Sequence, residues 1–204
     1  MIDASQLIRP DEPFVLRQRR PDLADDDAFL RFARGLEGLR VESEEGEVVT
    51  IMSPAGWETG ARNASITGQL WAWARATGLG RATDSSGLYR LRRGVRKAPD
   101  AAWISNERLA SVPAEAREGV LPIPPDFAIE LRSPTDDLDE LKDKMRTYIQ
   151  AGVQLAWLID PSSRTVYEYR PSTLPREYRD PRTMNADAVL PGFVLDLAEV
   201  WQAQ

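Results

Sequence analysis

The chain has no cysteine and no histidine in its 204 residues. Without cysteine there is no disulfide, no thiolate zinc site and no cysteine nucleophile. Without histidine there is no imidazole base, no Ser-His-Asp triad and no nitrogen ligand for a metal. Any bound metal must then be held by oxygen, which selects Mg²⁺ or Mn²⁺ over zinc. No apolar run approaches the roughly 18 residues that a bilayer span needs. The stretch from Met1 to Pro10 lacks a charged start followed by an apolar block, so no signal peptide is expected and the expected location is the cytoplasm. Internal repeats and low-complexity tracts are also missing.

What is present points to one folded unit. The length suits a single domain, and a hydrophobic fraction of 42% is enough for a packed core. Acids outnumber bases 32 to 26, a net charge of -6. That balance argues against a passive nucleic-acid coat, though not against an enzyme with a local basic patch.

Residues 1–24 are charged and proline-rich and are expected to form an N-terminal arm, with residues 25–204 as the domain. Asp25 to Asp27 precede Phe29, Leu30, Phe32, Ala33 and Leu36 at helical spacing, with acids suited to the first turn. Leu39 to Ser43 and Glu47 to Met52 flank Glu45-Gly46, which predicts a β-hairpin. Thr59 can cap a helix running to about Thr77, its stripe being Ile66, Leu70, Trp73 and Ala74. Gly78 and Gly80 stop it. Leu88 to Arg92 alternates, placing Tyr89 and Leu91 on one face and Arg90 and Arg92 on the other. Strands follow at Asp100–Ile104 and Phe127–Leu131, separated by a loop over 106–125. A helix over Leu138–Gln150 and strands over 154–159 and 164–169 come next. Residues 171–188 read as a surface loop, and a strand from Pro191 leads to a turn holding Trp201. This order predicts an α/β fold, a mixed central β-sheet flanked by helices, preceded by a helix and a hairpin.

Two acids stand in apolar surroundings. Asp100 opens one strand, and Glu130 lies inside Phe127-Ala-Ile-Glu-Leu131. An ionised group there is costly unless it is paired or metal-bound, although a lone strand acid more often marks an edge. Neighbouring strands lie about 4.8 Å apart, close enough to bring two carboxylates to one cation. Such a cation, with a basic side chain beside it, is what phosphodiester hydrolysis requires. On the following helix, Lys142 and Lys144 flank the apolar stripe at about 70° and 90° on opposite sides, so periodicity does not choose between them. Glu58 is a further acid at the start of a helix, where an acid that only favours the dipole is equally expected. Arg90, Arg92, Arg93, Arg96 and Lys97 form the densest basic cluster, just before Asp100. They are candidates for phosphate binding, with a solvated hairpin tip as the plainer alternative. Trp71, Trp73, Trp103, Trp157 and Tyr148 fall on apolar faces and are expected in the core.

Pro99-Asp100 followed by Glu130-Leu131-Arg132 resembles the signature of the PD-(D/E)xK restriction-endonuclease-like nucleases. Four stretches resemble one bacterial branch of them, the Uma-two family: Val49 to Asn63, Ala98 to Ser105, Pro125 to Asp136 and Lys144 to Pro161. Leu190-Pro-Gly-Phe193 fits as well. The bare PD…ExK pattern is weak, whereas the long final stretch is specific. The resemblance implies a restriction-endonuclease-like fold and a Mg²⁺- or Mn²⁺-dependent endonuclease acting on DNA. It implies Asp100 and Glu130 as ligands, with the Leu131 carbonyl as a third. It also exposes a departure, because the usual lysine position is Arg132. Arginine stays protonated and cannot be a general base, which leaves it the role of a phosphate clamp. The family pattern of Lys144, Tyr148 and Gly152 makes Lys144 the catalytic lysine beside Asp100 and Glu130. Glu47 matches too, in a structural role. Symmetric cutting of duplex DNA implies a homodimer. The alternative is a catalytically inactive nuclease-fold module for binding or scaffolding, for which Arg132 and a pI near 4.9 leave room. A carboxylate-only hydrolase such as a glycosidase would rest on the same two acids alone.

Overall fold

The computed structural model describes residues 14–36 and 38–202. The first half of the expected arm lies outside those residues, and the second half is built into the fold. Val15–Arg19 is a strand, β1, lying antiparallel to residues 48–52 with Val15 opposite Met52. A 3₁₀ turn at Pro21–Leu23 then buries Leu23. Helix α1, Asp26–Arg34, starts where Asp25 accepts from the Asp27 and Ala28 amides, and it buries Phe29. The expected hairpin is β2, Arg40–Glu44, with β3, Val48–Met52.

Helix α2, Trp57–Thr77, begins two residues before Thr59, and its N-cap Gly56 offers no side-chain bond. Gly78 ends it in the left-handed conformation, its amide bonded to the Ala74 carbonyl, which is the usual glycine termination. Gly80 is a strand residue instead of a second stop. It opens β4, Gly80–Asp84, and a Cβ there would overlap the Ile104 carbonyl oxygen. Next come β5, Tyr89–Arg92, and β6, Val95–Lys97, joined at Gly94. Then follow β7, Ala101–Ser105, a short α3, Asn106–Ala110, and β8, Phe127–Leu131. The stretch expected to be all loop between β7 and β8 therefore holds a helical turn, capped by Ser105. Helix α4, Leu138–Gln150, capped by Asp137, leads to β9, Leu155–Asp160, and β10, Thr165–Tyr169. The expected loop at 171–188 contains β11, Arg176–Arg179, and β12, Thr183–Asn185. Strand β13, Val194–Asp196, and α5, Ala198–Trp201, close the chain.

The central sheet has the order β11-β10-β9-β8-β7-β4. Strands β8 and β9 are parallel, and the other neighbours are antiparallel, so the sheet is mixed. Helix α4 is the crossover that a parallel pair requires. A second sheet has the order β1-β3-β2-β6-β5, and β12 pairs with β13.

Alternation along β8 sends its residues to two different cores. Phe127, Ile129 and Leu131 pack with Ile66, Leu70 and Ala74 of α2 and with Phe193, Leu195 and Trp201. Ala128 packs on the other side with Ala102, Ala156 and the α4 residues Met145 and Tyr148. The three alanines let α4 approach this face closely, and Glu130 belongs to the same face by parity. Trp73, Trp103 and Trp157 lie in or against the α2 core as expected. Trp71 does not, since it is 52% exposed with Arg75 over its ring. Its position on α2 points outward, one residue past Leu70.

Ile66 is fully buried between α2 and the sheet. Ile66→Val is therefore expected to cost about 1 kcal/mol in urea denaturation. An unchanged midpoint would mean that α2 is not seated on the sheet there.

Candidate active site

Asp100 stands immediately before β7 and Glu130 near the end of β8, its neighbour in the sheet. Both are buried, at 7% and 3% exposure. The Leu131 amide donates to Asp100 Oδ2 at 2.8 Å, which holds the Asp100 carboxylate against the end of β8. Arg40 of β2 donates to Asp100 Oδ1 at 2.8 Å and to the Ala98 carbonyl at 2.7 Å.

Glu130 meets α4. Lys144 Nζ lies 2.9 Å from Glu130 Oε1, and Tyr148 donates its hydroxyl proton to the same oxygen at 2.6 Å. Lys144 and Tyr148 are four apart on one helix, so they present to the same strand residue. Lys142 is elsewhere, 3.6 Å from Asp139 and over the Tyr167 ring. Of the two helix lysines left open by periodicity, the structure brings Lys144 to the acids.

A third carboxylate completes the cluster. Glu42 of β2 is 3% exposed. Its Oε1 accepts from Lys144 at 2.8 Å and from the Ala98 amide at 3.1 Å, and its Oε2 lies 3.3 Å from Lys97. Strand β2 thus contributes Arg40 and Glu42 from one face, two residues apart. Neither was singled out from the sequence, because Arg-Val-Glu-Ser-Glu reads as a half-exposed hairpin strand. Its second face is covered through contacts with residues 55 to 102 positions away.

Charge sets the protonation states. Burial pushes Glu130 up, to about 7; Lys144 opposes it, while Asp100 and Glu42 add to it. Burial also acts on Glu42, but Lys144, Lys97 and Arg40 outweigh it and hold that carboxyl down at about 2. Burial favours a neutral Lys144, yet Glu130 and Glu42 prevail and raise it above the ordinary amine range. Lys144 is therefore an ammonium. Burial, with Glu130 and Glu42 nearby, keeps the Tyr148 phenol protonated as a donor. Three carboxylates, at 42, 100 and 130, face three cations, at 40, 97 and 144.

Asp100, Glu130, Leu131, Lys144, Arg40 and Glu58 line one cleft of about 1230 Å³. Glu58 sits in the first turn of α2 on its wall and makes no hydrogen bond among the described residues. Trp57 stands beside it, 74% exposed. Among the described residues no three acids are grouped as a metal cage. A cation here would draw on the two carboxylates at 100 and 130 and on the Leu131 carbonyl. The donor chemistry fits a hard cation, since every donor is oxygen. Glu130 Oε2 also makes no hydrogen bond or ion pair among the described residues.

The expected phosphate-binding cluster is dispersed. Arg96 is 1% exposed and bonded to Asp26, Ser43 and the Leu23 and Ala24 carbonyls. Arg90 pairs with the same Asp26 at 2.7 Å and Arg92 with Glu45 at 2.7 Å. Lys97 is buried against Glu42 and Glu44. Of this cluster, Arg93 alone is exposed without such a pair among the described residues, beside the Gly94 turn. Alternation along β5 and β6, with a register shift between Arg90 and Arg92, sends these side chains in different directions. Arg132 is bonded to Asp160 Oδ2 at 3.0 Å, the Asp136 carbonyl and Ser162, and does not line the cleft. Glu47 occupies the hairpin turn with φ 63° and accepts the Arg20 amide on its carbonyl, a structural place.

No curated protein matches the chain. In structure it is similar to a protein of Anabaena variabilis ATCC 29413 described as "a putative nuclease belonging to DUF820". The TM-score is 0.70 at 21% identity, covering 86% of this chain and 96% of that one. At that identity the likeness shows the fold, which is restriction-endonuclease-like. The family model Uma2 (Uma-two), described as "Putative restriction endonuclease", matches residues 26–198. That span contains Glu42, Asp100, Glu130 and Lys144, and with it the chain belongs to the Uma2 restriction endonuclease family.

Proposed function

We propose that the protein is a Mg²⁺- or Mn²⁺-dependent endonuclease that hydrolyses phosphodiester bonds in DNA. The observation that carries this reading is the pair of buried carboxylates, Asp100 and Glu130, on one cleft with Lys144 2.9 Å from Glu130. A divalent cation, when bound, polarises the phosphate and lowers the pKa of water. Asp100, Glu130 and the Leu131 carbonyl are the residues that would hold it. The chain's own side chains do the rest. Lys144, held as an ammonium by Glu130 and Glu42, is not the group that takes a proton from water. It orients the nucleophile by donation and offsets charge that develops on the phosphate oxygens. Tyr148 fixes the Glu130 carboxylate through Oε1 and leaves Oε2 toward a ligand. Glu58 is an additional acid on the wall. A homodimer would present two such clefts to the two strands of a duplex. No helix among the described residues is long and apolar enough to cross a membrane, and a cytoplasmic setting is part of the proposal.

Glu42 acts through Lys144. Its removal as an anion frees the ammonium from one of its two anchors. Glu42→Gln is therefore expected to lower Mn²⁺-supported plasmid nicking about 10–100-fold, the usual effect of losing an outer partner of a metal site. A rate equal to the parent protein would show that Lys144 is placed without it.

One observation favours the second reading, a nuclease-fold module that binds without cutting. The acids at 42, 100 and 130 already have cationic partners at 40, 97 and 144, so each is paired with no metal bound. Calorimetric titration of Mn²⁺ separates the two. The endonuclease reading predicts binding that is lost in Asp100→Ala together with nicking. Absence of binding and of nicking in the folded parent protein would favour the module.

A further inference from the structure

The two acids are not equally open to a ligand. Glu130 gives Oε1 to both Lys144 and Tyr148 and keeps Oε2 free among the described residues. Asp100 has no such spare oxygen. Its Oδ2 accepts from the Leu131 amide and its Oδ1 from Arg40. A backbone amide is neutral and tolerates a cation beside the oxygen it bonds. A guanidinium does not, because two positive groups on one carboxylate oxygen repel strongly at that distance. Nor can Arg40 relieve the conflict by losing a proton.

Arg40 also borders open space. It lies on the cleft wall, with its side chain 28% exposed. Its Nε is buried without a hydrogen-bond partner among the described residues, so the present position leaves part of the guanidinium fork unsatisfied there. The strand that carries it is fixed independently. Glu42, two residues on, is locked to Lys144, Lys97 and the Ala98 amide. Arg40 can therefore change rotamer without disturbing β2.

We propose that Arg40 is a displaceable counter-ion: it holds Asp100 while no metal is bound, and a divalent cation at Asp100 drives its guanidinium into the cleft, onto a phosphate of the nucleic acid. This inference rests on the metallonuclease reading above. It adds that the site couples its two ligands. A cation that takes Oδ1 of Asp100 as its ligand must evict a resident positive charge. With a phosphate waiting, that charge gains a bidentate partner suited to its planar fork. Each ligand therefore strengthens the other, and by the same factor.

The test is calorimetric titration of Mn²⁺ into the full chain, with and without a non-cleavable phosphorothioate DNA duplex, for the parent protein, Arg40→Gln and Arg40→Lys. Circular dichroism confirms the fold of each. In the parent protein the duplex is expected to tighten Mn²⁺ binding. Arg40→Gln is expected to bind Mn²⁺ alone more tightly, on the order of tenfold or more, and to show a smaller effect of the duplex than the parent, only that of the cation's own contact with the phosphate. Arg40→Lys, which keeps the charge but not the planar fork, should stay close to the parent in its affinity for Mn²⁺ alone and show a weaker effect of the duplex. If the parent binds Mn²⁺ and cleaves while folded Arg40→Gln binds no more tightly, this proposal is overturned and the nuclease reading stands. If neither protein binds Mn²⁺ and the parent does not cleave, both fall. Should Arg40→Gln fail to fold, Arg40→Lys decides, because a duplex effect as large as the parent's without the planar fork overturns the proposal, as does Mn²⁺ affinity in the parent that is indifferent to the duplex.

Discussion

Asp100→Ala is expected to lower Mn²⁺-supported cleavage of plasmid DNA by about 10³-fold or more, the loss that several kcal/mol of metal-borne transition-state stabilisation implies. The size follows from how little else is available. With no histidine and no cysteine in the chain, no nitrogen or sulfur donor can substitute. Among the described residues no third acid is grouped with Asp100 and Glu130 as a metal cage. The substitution has a structural side as well. It strips the Leu131 amide and the Arg40 guanidinium of their shared acceptor. Asp100→Asn separates the two effects. It keeps an oxygen for the Leu131 amide while removing the charge and the acceptor for Arg40, so it should cut activity comparably while melting closer to the parent protein. Activity retained in a folded Asp100→Asn protein would remove Asp100 from the chemistry.

Lys144→Met is expected to destabilise the fold by about 3–5 kcal/mol, the cost of leaving buried charges without their partner. Lys144 is 13% exposed, and the two carboxylates it serves, on Glu42 and Glu130, are 4% and 3% exposed. Without the ammonium Glu42 loses its nearest cation, and Glu130, already raised to about 7, must take up a proton or stay buried as an unpaired anion. Urea denaturation measures the loss, and a double-mutant cycle identifies its cause. Adding Glu42→Gln removes one of the stranded charges, so the double variant should recover part of the stability, with a coupling of about 1–3 kcal/mol. Additive losses would mean that Lys144 and Glu42 do not interact as the 2.8 Å contact requires. Activity should fall in parallel, by about 10²–10³-fold, as when one preorganised donor to a transition state is lost.

The parts of this site legible in the sequence are those encoded locally. The run Phe127–Leu131 with one acid in it became a strand buried on both faces, because five residues of that pattern allow little else. The stripe Leu138, Leu141, Met145, Tyr148 became α4 with the expected bounds. What stayed hidden depends on pairing across the chain. Arg40 reaches Asp100 over 60 positions and Glu42 reaches Lys144 over 102. In a hairpin strand such polar residues look solvated, and only the packing of the second sheet against α4 buries them. The basic run from Arg90 to Lys97 misled for the complementary reason. Closeness in sequence is not closeness in space on two alternating strands, and Arg96 ended inside, with Asp26. Strands β4, β11 and β12 were missed because they are short or lie at an edge. β11 reads Arg-Glu-Tyr-Arg with no apolar face, and the first residue of β4 is a glycine that also follows a helix end.

The central claim is that one hard cation sits between the carboxylates at 100 and 130. Crystals soaked in Mn²⁺ test it directly through anomalous scattering at the manganese edge. The account predicts a single strong peak within bonding distance of Asp100 and Glu130, with Arg40 turned from Asp100 Oδ1. A fully soaked crystal with no peak there, or with manganese bound only at residues outside the cleft, would contradict it.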